Sequence, residues 1–480
     1  LQGKFLRMQR YRNLLFYVLT VAAAIAIIWW ILSMGTQLQS QKNIKSIIES
    51  KPALGIPFTS VLRHNIREPL AILLLQIFVI LLAGSLMGFL FKKIKQPRVI
   101  GEMAAGILLG ASFLGYYFPD LSAFVFPPQS LGNLNLLSQI GLILFMFIVG
   151  LELDLSMLRG KTNAAVMISH TSIIVPFTLG VATAYFTYQQ FAPQGVQFIS
   201  YALFIGISLS ITAFPVLARI IQERNLSKTN LGVLAITCAA ADDVTAWCIL
   251  ALVIAVVKAG SAWSALYTIL LSIVYILVMI KILRPLMAGY YRKINNQLTV
   301  PFIAVCMIIL VASAYLTDAI GIHALFGAFV AGMIMPADMK FRAQLIDKIE
   351  SVALLLLLPL FFVSTGLKTQ IALLNNTALW SVCIVVLVIA VIAKFGASAA
   401  AARFTGQSWS ESLQLGALMN TRGLTELVVL NIGYDLGVIS QEIFTILVIM
   451  ALSTTLMTGP ALNRIQKLFR SSREAKALTP

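Results

Sequence analysis

Apolar residues in this chain come in long unbroken runs separated by short polar turns. Neither the two-residue alternation of a half-exposed strand nor the single apolar stripe of a soluble helix prevails. A run of about 20 apolar residues spans the hydrocarbon of a bilayer as a helix, whereas a membrane barrel reads as short alternating segments. Fourteen runs stand out, near 13–34, 69–91, 98–116, 134–151, 163–188, 199–221, 230–257, 264–284, 299–317, 322–336, 350–366, 376–404, 411–436 and 441–465. The pattern predicts an all-α polytopic membrane protein.

One connection is long. Residues 35–68 are polar and rich in Gln, Ser and Lys, and they set the first helix apart from the other thirteen. That first run follows Lys4, Arg7, Arg10 and Arg12 and carries Trp29–Trp30 near its far end. It is too long for a signal peptide and lacks a small-residue cleavage site, so a retained helix with an aromatic anchor is expected. The remaining spans divide six, one, six. This predicts a 13-helix inverted repeat: 1–68 as an extra helix and outer loop, 69–257 as the first repeat, 258–298 as a linker helix, 299–466 as the second repeat, and 467–480 as a basic tail. One spacing agrees with the repeat: Thr212 to Asp242 and Thr421 to Ala451 are both 30 residues apart.

Composition sharpens the class. The chain is 59% hydrophobic and 11% charged, where a soluble domain carries about 25% charged residues. A net charge of +17 would suggest nucleic acid in a soluble protein. Here the charge follows the loops: with the N-terminus in the cytoplasm, 26 of the 35 Lys and Arg fall on the cytoplasmic side, including Lys92, Lys93, Lys95 and Arg98 in one turn. The bias places both termini in the cytoplasm of a cell-membrane protein and excludes a nucleic-acid partner. Cys238, Cys248, Cys306 and Cys383 lie inside apolar runs without metal-ligand spacing.

Ionisable residues within a span cost about 2.5–3.5 kcal/mol each on insertion scales and mark function by default. The sharpest case is Asp242–Asp243 in ITCAAADDVTAWCIL. Two adjacent carboxylates at membrane depth repel each other, so one holds a proton or a cation sits beside them. That competition is what an antiporter needs; the alternative is an ion pair that only joins helices. Lys394 lies too deep in its span to reach water and requires a partner among Asp242, Asp243 and Glu426. In Ser208–Leu209–Ser210–Ile211–Thr212–Ala213–Phe214–Pro215, the proline removes a helix hydrogen bond. Freed carbonyls and the Ser210 and Thr212 hydroxyls are oxygen ligands for an alkali cation; the alternative is a simple kink. Arg422 and Glu426 share a helix face beside Thr421 and Gly423, and a stabilising pair in a second interrupted helix is expected. Glu152 and Asp154 fall at a helix end on the cytoplasmic side. Gly84-xxx-Gly88 and Gly106-xxx-Gly110 permit close helix packing. His64, His170 and His323 are too scattered for a metal site.

Five stretches together carry a resemblance: QPRVIGEMAAGILLG (96–110), GLELDL (150–155), SLSITAFPVLARII (208–221), AADDVTAW (240–247) and MNTRGLTELVVLNIG (419–433). Across 69–466 the chain resembles the monovalent cation:proton antiporter-2 family, which includes Kef-type potassium efflux systems, NapA-type bacterial sodium/proton antiporters and plant cation/proton exchangers. The resemblance implies an inverted-repeat fold with two crossed broken helices, a homodimer and an elevator-like movement of a six-helix core. It implies that Asp243 is the main ion-binding carboxylate, that Asp242 is the partner of Lys394, and that Thr212 and Thr421 lie in the crossed segments. An Asp-Asp pair with a lysine goes with electrogenic exchange. Kef systems differ by a Gln-Asp pair and an appended nucleotide-binding domain, and no G-x-G-x-x-G follows the last span here.

The expected function is exchange of Na⁺ or Li⁺ for H⁺ without a cofactor, serving pH homeostasis, with K⁺/H⁺ exchange as the alternative and a cation channel as a remote one. An intramembrane aspartyl protease would also use two membrane aspartates. Adjacent Asp242 and Asp243 point to different helix faces, however, and no Gly-x-Gly-Asp accompanies the Tyr434–Asp435 dipeptide. No enzymatic activity is expected.

Overall fold

A computed structural model describes residues 18–20, 22–34, 62, 64–94, 96–152, 163–226, 229–259 and 262–477. The chain divides into two units, Leu1–Arg67 and Glu68–Pro480. The first unit holds one apolar helix, α1 (Val18–Met34); most of the 35–68 loop lies outside the described residues.

Among its described residues the second unit is mainly helical, with short turns and extended links between the helices. In order come α2 (Pro69–Lys93), α3 (Arg98–Leu109), α4 (Leu131–Glu152), α5 (Asn163–Phe191), α6 (Phe198–Ser210), α7 (Phe214–Glu223), α8 (Asn230–Ala259), α9 (Ala262–Val278) and α10 (Arg284–Lys293). Then follow α11 (Val300–Ile320), α12 (Ala324–Met333), α13 (Met339–Val352), α14 (Leu358–Lys368), α15 (Thr377–Val391), α16 (Ala397–Phe404), α17 (Trp409–Met419), α18 (Leu424–Asp435) and α19 (Gln441–Ala477). Among the described residues, eleven helical stretches are long and apolar enough to cross a membrane.

Close packing sorts these helices into two bodies. In one, α2, α3, α4, α11, α12, α13 and α14 pack on one another; in the other, α5 to α8 pack with α15 to α19. Helix α9 touches α8 of the second body and α11 of the first. In the first body Gly106 of α3 backs directly on α14: a Cβ there would lie 2.6 Å from the Val363 carbonyl oxygen. This is the close approach that the small-residue spacing permits.

Two spans depart from their hydropathy. The run 322–336 forms only the ten-residue α12, about 15 Å long and too short to cross alone. Its residues Leu325–Gly332 are all buried, so protein covers it. The run at 350 is the second half of a longer rod that begins at Met339 and passes through a π turn at Ala353–Leu357. Hydropathy misses its start because that half is amphipathic and polar. A cap fixes it instead: the Asp338 side chain accepts the Lys340 and Phe341 backbone N–H groups. The Lys340 N–H holds the Asp338 carboxyl below its usual range.

Two spans are broken in mid-membrane. Helix α6 ends at Ser210, Ile211–Ala213 run extended, and Pro215 sits in the first turn of α7. A proline fits there because a first-turn N–H has no helical partner. Pro215 therefore starts the second half-helix and does not kink a continuous one. Helix α17 ends at Met419, and α18 starts after Gly423. The two breaks cross, joined by the Ala213 N–H donating to the Thr421 carbonyl at 3.1 Å. Gly423 allows this, since a Cβ there would meet Val216 Cγ2 at 2.9 Å.

Candidate ion-binding site

Breaking a helix leaves its last carbonyls and first N–H groups without partners, and in lipid each must be satisfied by protein. At the end of α6 two buried cations do this. The Arg422 guanidinium donates to the Ser208 carbonyl at 2.8 Å and the Leu209 carbonyl at 2.6 Å. The Lys394 ammonium donates to the Ser210 carbonyl at 2.5 Å. Both stand at the negative end of the half-helix dipole. Arg422 also pairs with Glu426 at 3.1 Å, and both side chains are fully buried.

Lys394 lies in a π turn, Ile392–Gly396, that interrupts the α15–α16 rod. Such turns recur at functional sites. Besides Ser210, its ammonium donates to the Ser172 carbonyl at 2.8 Å and to Asp242 Oδ2 at 3.0 Å. All three ammonium protons thus have acceptors. Lys394 and Asp242 are both fully buried.

Asp242 is equally well served. Ser169 Oγ donates to its Oδ1 at 2.6 Å, and Ser172 Oγ and Thr212 Oγ1 donate to Oδ2 at 2.6 Å and 2.8 Å. Four donors around one carboxylate hold it in place. Sequence reasoning did not identify Ser169 and Ser172. The available signal was their i, i+3 spacing, which puts both hydroxyls on one face of α5.

Asp243, one residue on, is different. It is fully buried, and neither carboxylate oxygen has a partner at hydrogen-bond distance among the described residues; the Trp247 side chain, one turn along α8, is the neighbouring donor. Near the second break, Asn420 Oδ1, Thr425 Oγ1 and Glu426 Oε2 are likewise buried and unpartnered. Free buried oxygens cost about 1–3 kcal/mol each, more when charged. A bound proton or cation would remove that cost at Asp243.

The structure therefore brings Asp242, Asp243, Thr212, Lys394, Thr421, Arg422 and Glu426 to the crossing, with differences from the expected roles. The Ser210 hydroxyl turns back to the Gly206 carbonyl at 2.7 Å, so Ser210 offers the site its carbonyl. Thr421 faces Thr458 at 3.2 Å and supplies its carbonyl to the other break. Glu152 closes α4 in an exposed position, and Asp154 lies outside the described residues. His170 is exposed, with Nδ1 2.8 Å from the Val166 carbonyl. Asp435 is 41% exposed at the far end of α18 and pairs with Lys368.

A family described as sodium/hydrogen exchanger, transmembrane, matches residues 77–467. The Na⁺/H⁺ antiporter NhaS4 of Synechocystis is 44% identical over 82% of this chain and 97% of its own length. K⁺/H⁺ antiporter 1 of Saccharomyces cerevisiae is 33% identical over 83% of this chain and 46% of its own. The chain spans about half the length of this and several other curated relatives, plant cation/H⁺ antiporters among them. Among solved structures, the sodium proton antiporter MjNhaP1 from Methanocaldococcus jannaschii shares the fold, with a TM-score of 0.61, 16% identity, and coverage of 82% of this chain and 97% of that one.

Proposed function

The chain belongs to the sodium/hydrogen exchanger family, a family of transporters, and we propose that it is a secondary antiporter exchanging Na⁺ (or Li⁺) for protons across a cell membrane. The observation that carries the reading is Asp243: a buried carboxylate with both oxygens free, beside a second carboxylate that four donors hold in place. Such a group takes a proton or a cation but not both, and that exclusion couples the two fluxes.

Asp242 and Lys394 supply fixed charge. Lys394 pairs with the Asp242 carboxylate, so Asp243 meets the cation beside a neighbour that is already engaged. The hydroxyl and carbonyl oxygens of the crossing, Thr212, Ser210 and those near Thr421, are the hard ligands that would complete an alkali ion's shell. Two protons inward for one cation outward would move one net charge, worth about 2.3 kcal/mol per 100 mV. The Asp-Asp-Lys set favours this electrogenic mode. The two packed bodies fit an elevator in which the crossing body carries Asp243 past the other. The remaining parts of the reading are a homodimer, cytoplasmic termini and a role in pH homeostasis, with no cofactor.

K⁺ is the second reading, favoured by the yeast relative named a K⁺/H⁺ antiporter. Proton flux in proteoliposomes with an imposed pH gradient tests both. Na⁺, Li⁺ and K⁺ are added in turn, with and without a potassium ionophore. Cation-dependent proton movement that Asp243→Asn abolishes is the expected result, and the ion giving the larger flux at lower concentration decides between the readings. Flux that persists in a folded Asp243→Asn protein would remove the site assignment.

A further inference from the structure

The two bodies are tied together at one end of the bundle, away from the buried aspartates. The last residues of α14 and the segment after it, Thr365 to Gln370, belong to the first body. From the second body, Asn431 Nδ2 donates to Thr365 Oγ1 at 2.8 Å, and Gln441 Nε2 donates to the Lys368 carbonyl at 3.3 Å. In return the Gln370 N–H donates to Thr445 Oγ1 at 3.3 Å. The Lys368 ammonium donates to Asp435 Oδ1 at 2.7 Å and to Asn431 Oδ1 at 3.3 Å, with the Tyr434 ring 5.6 Å away. The charge bias along the chain places this end on the outer face.

Asn431 and Asp435 also line a cavity of about 30 Å³, with Asn135, Ser138, Gln139, His323 and Ser364 as its other polar residues and apolar side chains such as Phe361 and Val428 completing it. Asn135, Ser138, Gln139 and Ser364 come from the first body, Asn431 and Asp435 from the second, so the cavity lies on the seam along which the bodies would slide. Its oxygens are amide, hydroxyl and carboxylate, the hard donors that alkali cations take. An ammonium is itself a monovalent cation, and here it rests on the carboxylate and amide oxygens of two residues that also line this cavity.

We propose that Asp435 and Asn431 form an outer entry site for a monovalent cation, that Lys368 occupies it as a tethered cation, and that an incoming ion must displace Lys368 before the bodies part at this end. The inference rests on the antiport reading for the identity of the ion. It adds a site and a gate that the Asp242–Asp243 chemistry does not require. Partial exposure of both side chains, 21% for Lys368 and 41% for Asp435, leaves the pair weak enough to exchange with ions in solution.

The test uses the full chain in proteoliposomes, with Cys248, the exposed native cysteine, replaced by Ala and Ser364→Cys as reporter. A membrane-impermeant maleimide is applied from the outer face. Lys368→Met is expected to raise the labelling rate by about two- to fivefold, the range that a partly exposed ion pair supports. The charge exchange Lys368→Asp with Asp435→Lys should return labelling to the parent rate. Na⁺ or K⁺ should speed labelling of the parent relative to choline, and should cease to do so in Asp435→Asn, whose external cation KM should rise with kcat little changed. Labelling in Lys368→Met at the parent rate, or equal effects of alkali ions and choline on the parent, would overturn the proposal. Labelling requires no transport, so a parent protein without cation-dependent proton flux would defeat the antiport reading while the gate is still judged by its own result.

Discussion

Asp242 and Asp243 share a helix turn and a side-chain type but occupy opposite chemical situations. Asp242 accepts hydrogen bonds from three hydroxyls and an ammonium, whereas Asp243 has no partner at hydrogen-bond distance among the described residues. Substitution should separate them. Asp243→Asn removes no hydrogen bond of the fold, so its thermal midpoint in detergent should stay near the parent value while cation-dependent proton flux disappears. Asp242→Ala leaves Lys394 buried beside carbonyls alone. Breaking a buried pair costs about 3–5 kcal/mol, so this variant should melt well below the parent or fail to accumulate. Ser169→Ala removes one hydrogen bond to a charged group, worth about 1.5–3 kcal/mol, and should fall between the two. Equal midpoints for all three variants would contradict the division of roles. The carboxylate pair and its lysine were legible in the sequence because charge inside an apolar run has few explanations. Ser169 and Ser172 were not, since serines are common in membrane helices and only their contact with Asp242 distinguishes them.

At the scale of elements, the site depends on holding open two helix ends that would otherwise be repaired by continuing the helix. Proline at the start of α7 and glycine before α18 supply the breaks, and both were readable from sequence. The neutralisation of the α6 terminus was not, because it comes from Arg422, more than 200 residues away on α18's side of the crossing. The i, i+4 spacing correctly pairs Arg422 with Glu426 but shows nothing of the carbonyls that share the guanidinium. A planar fork can hold two carbonyls and a carboxylate together; a lysine ammonium on a different stem length cannot reproduce that geometry. Arg422→Lys should therefore lower the thermal midpoint and reduce transport despite keeping the charge. A Lys variant with the parent's midpoint would show that the charge alone closes the end of α6. The π turn at Lys394 and the short α12 were also invisible to hydropathy, which reports how apolar a run is but not how it bends or what covers it.

For the whole molecule, close backbone approach between helices stays within two bodies while α9 touches both. Between the bodies the contacts are side-chain ones, an apolar cluster with the Trp247 and Phe329 rings 6.2 Å apart and a few polar bonds, and apolar contacts, which have no fixed direction, can slide where interlocked backbones cannot. Five of the polar bonds gather where Thr365–Gln370 meets α18 and α19. Hydropathy gave the spans but not this seam, since its bonds join residues 63 to 75 positions apart that read singly as ordinary helix-end polar groups. If transport requires the bodies to move past each other, fixing the seam should stop it without touching Asp242 or Asp243. In a background with Cys248 replaced by Ala, Thr365→Cys with Asn431→Cys brings two thiols to positions whose native side chains are 2.8 Å apart. Bridging them with Hg²⁺ should abolish cation-dependent proton flux, a thiol reductant should restore it, and either single cysteine should be indifferent to the metal. Undiminished flux in a protein shown by gel shift to be bridged would mean that the ion crosses without relative movement of the two bodies at this end, and the exchange would then have to be confined to side chains around Asp243.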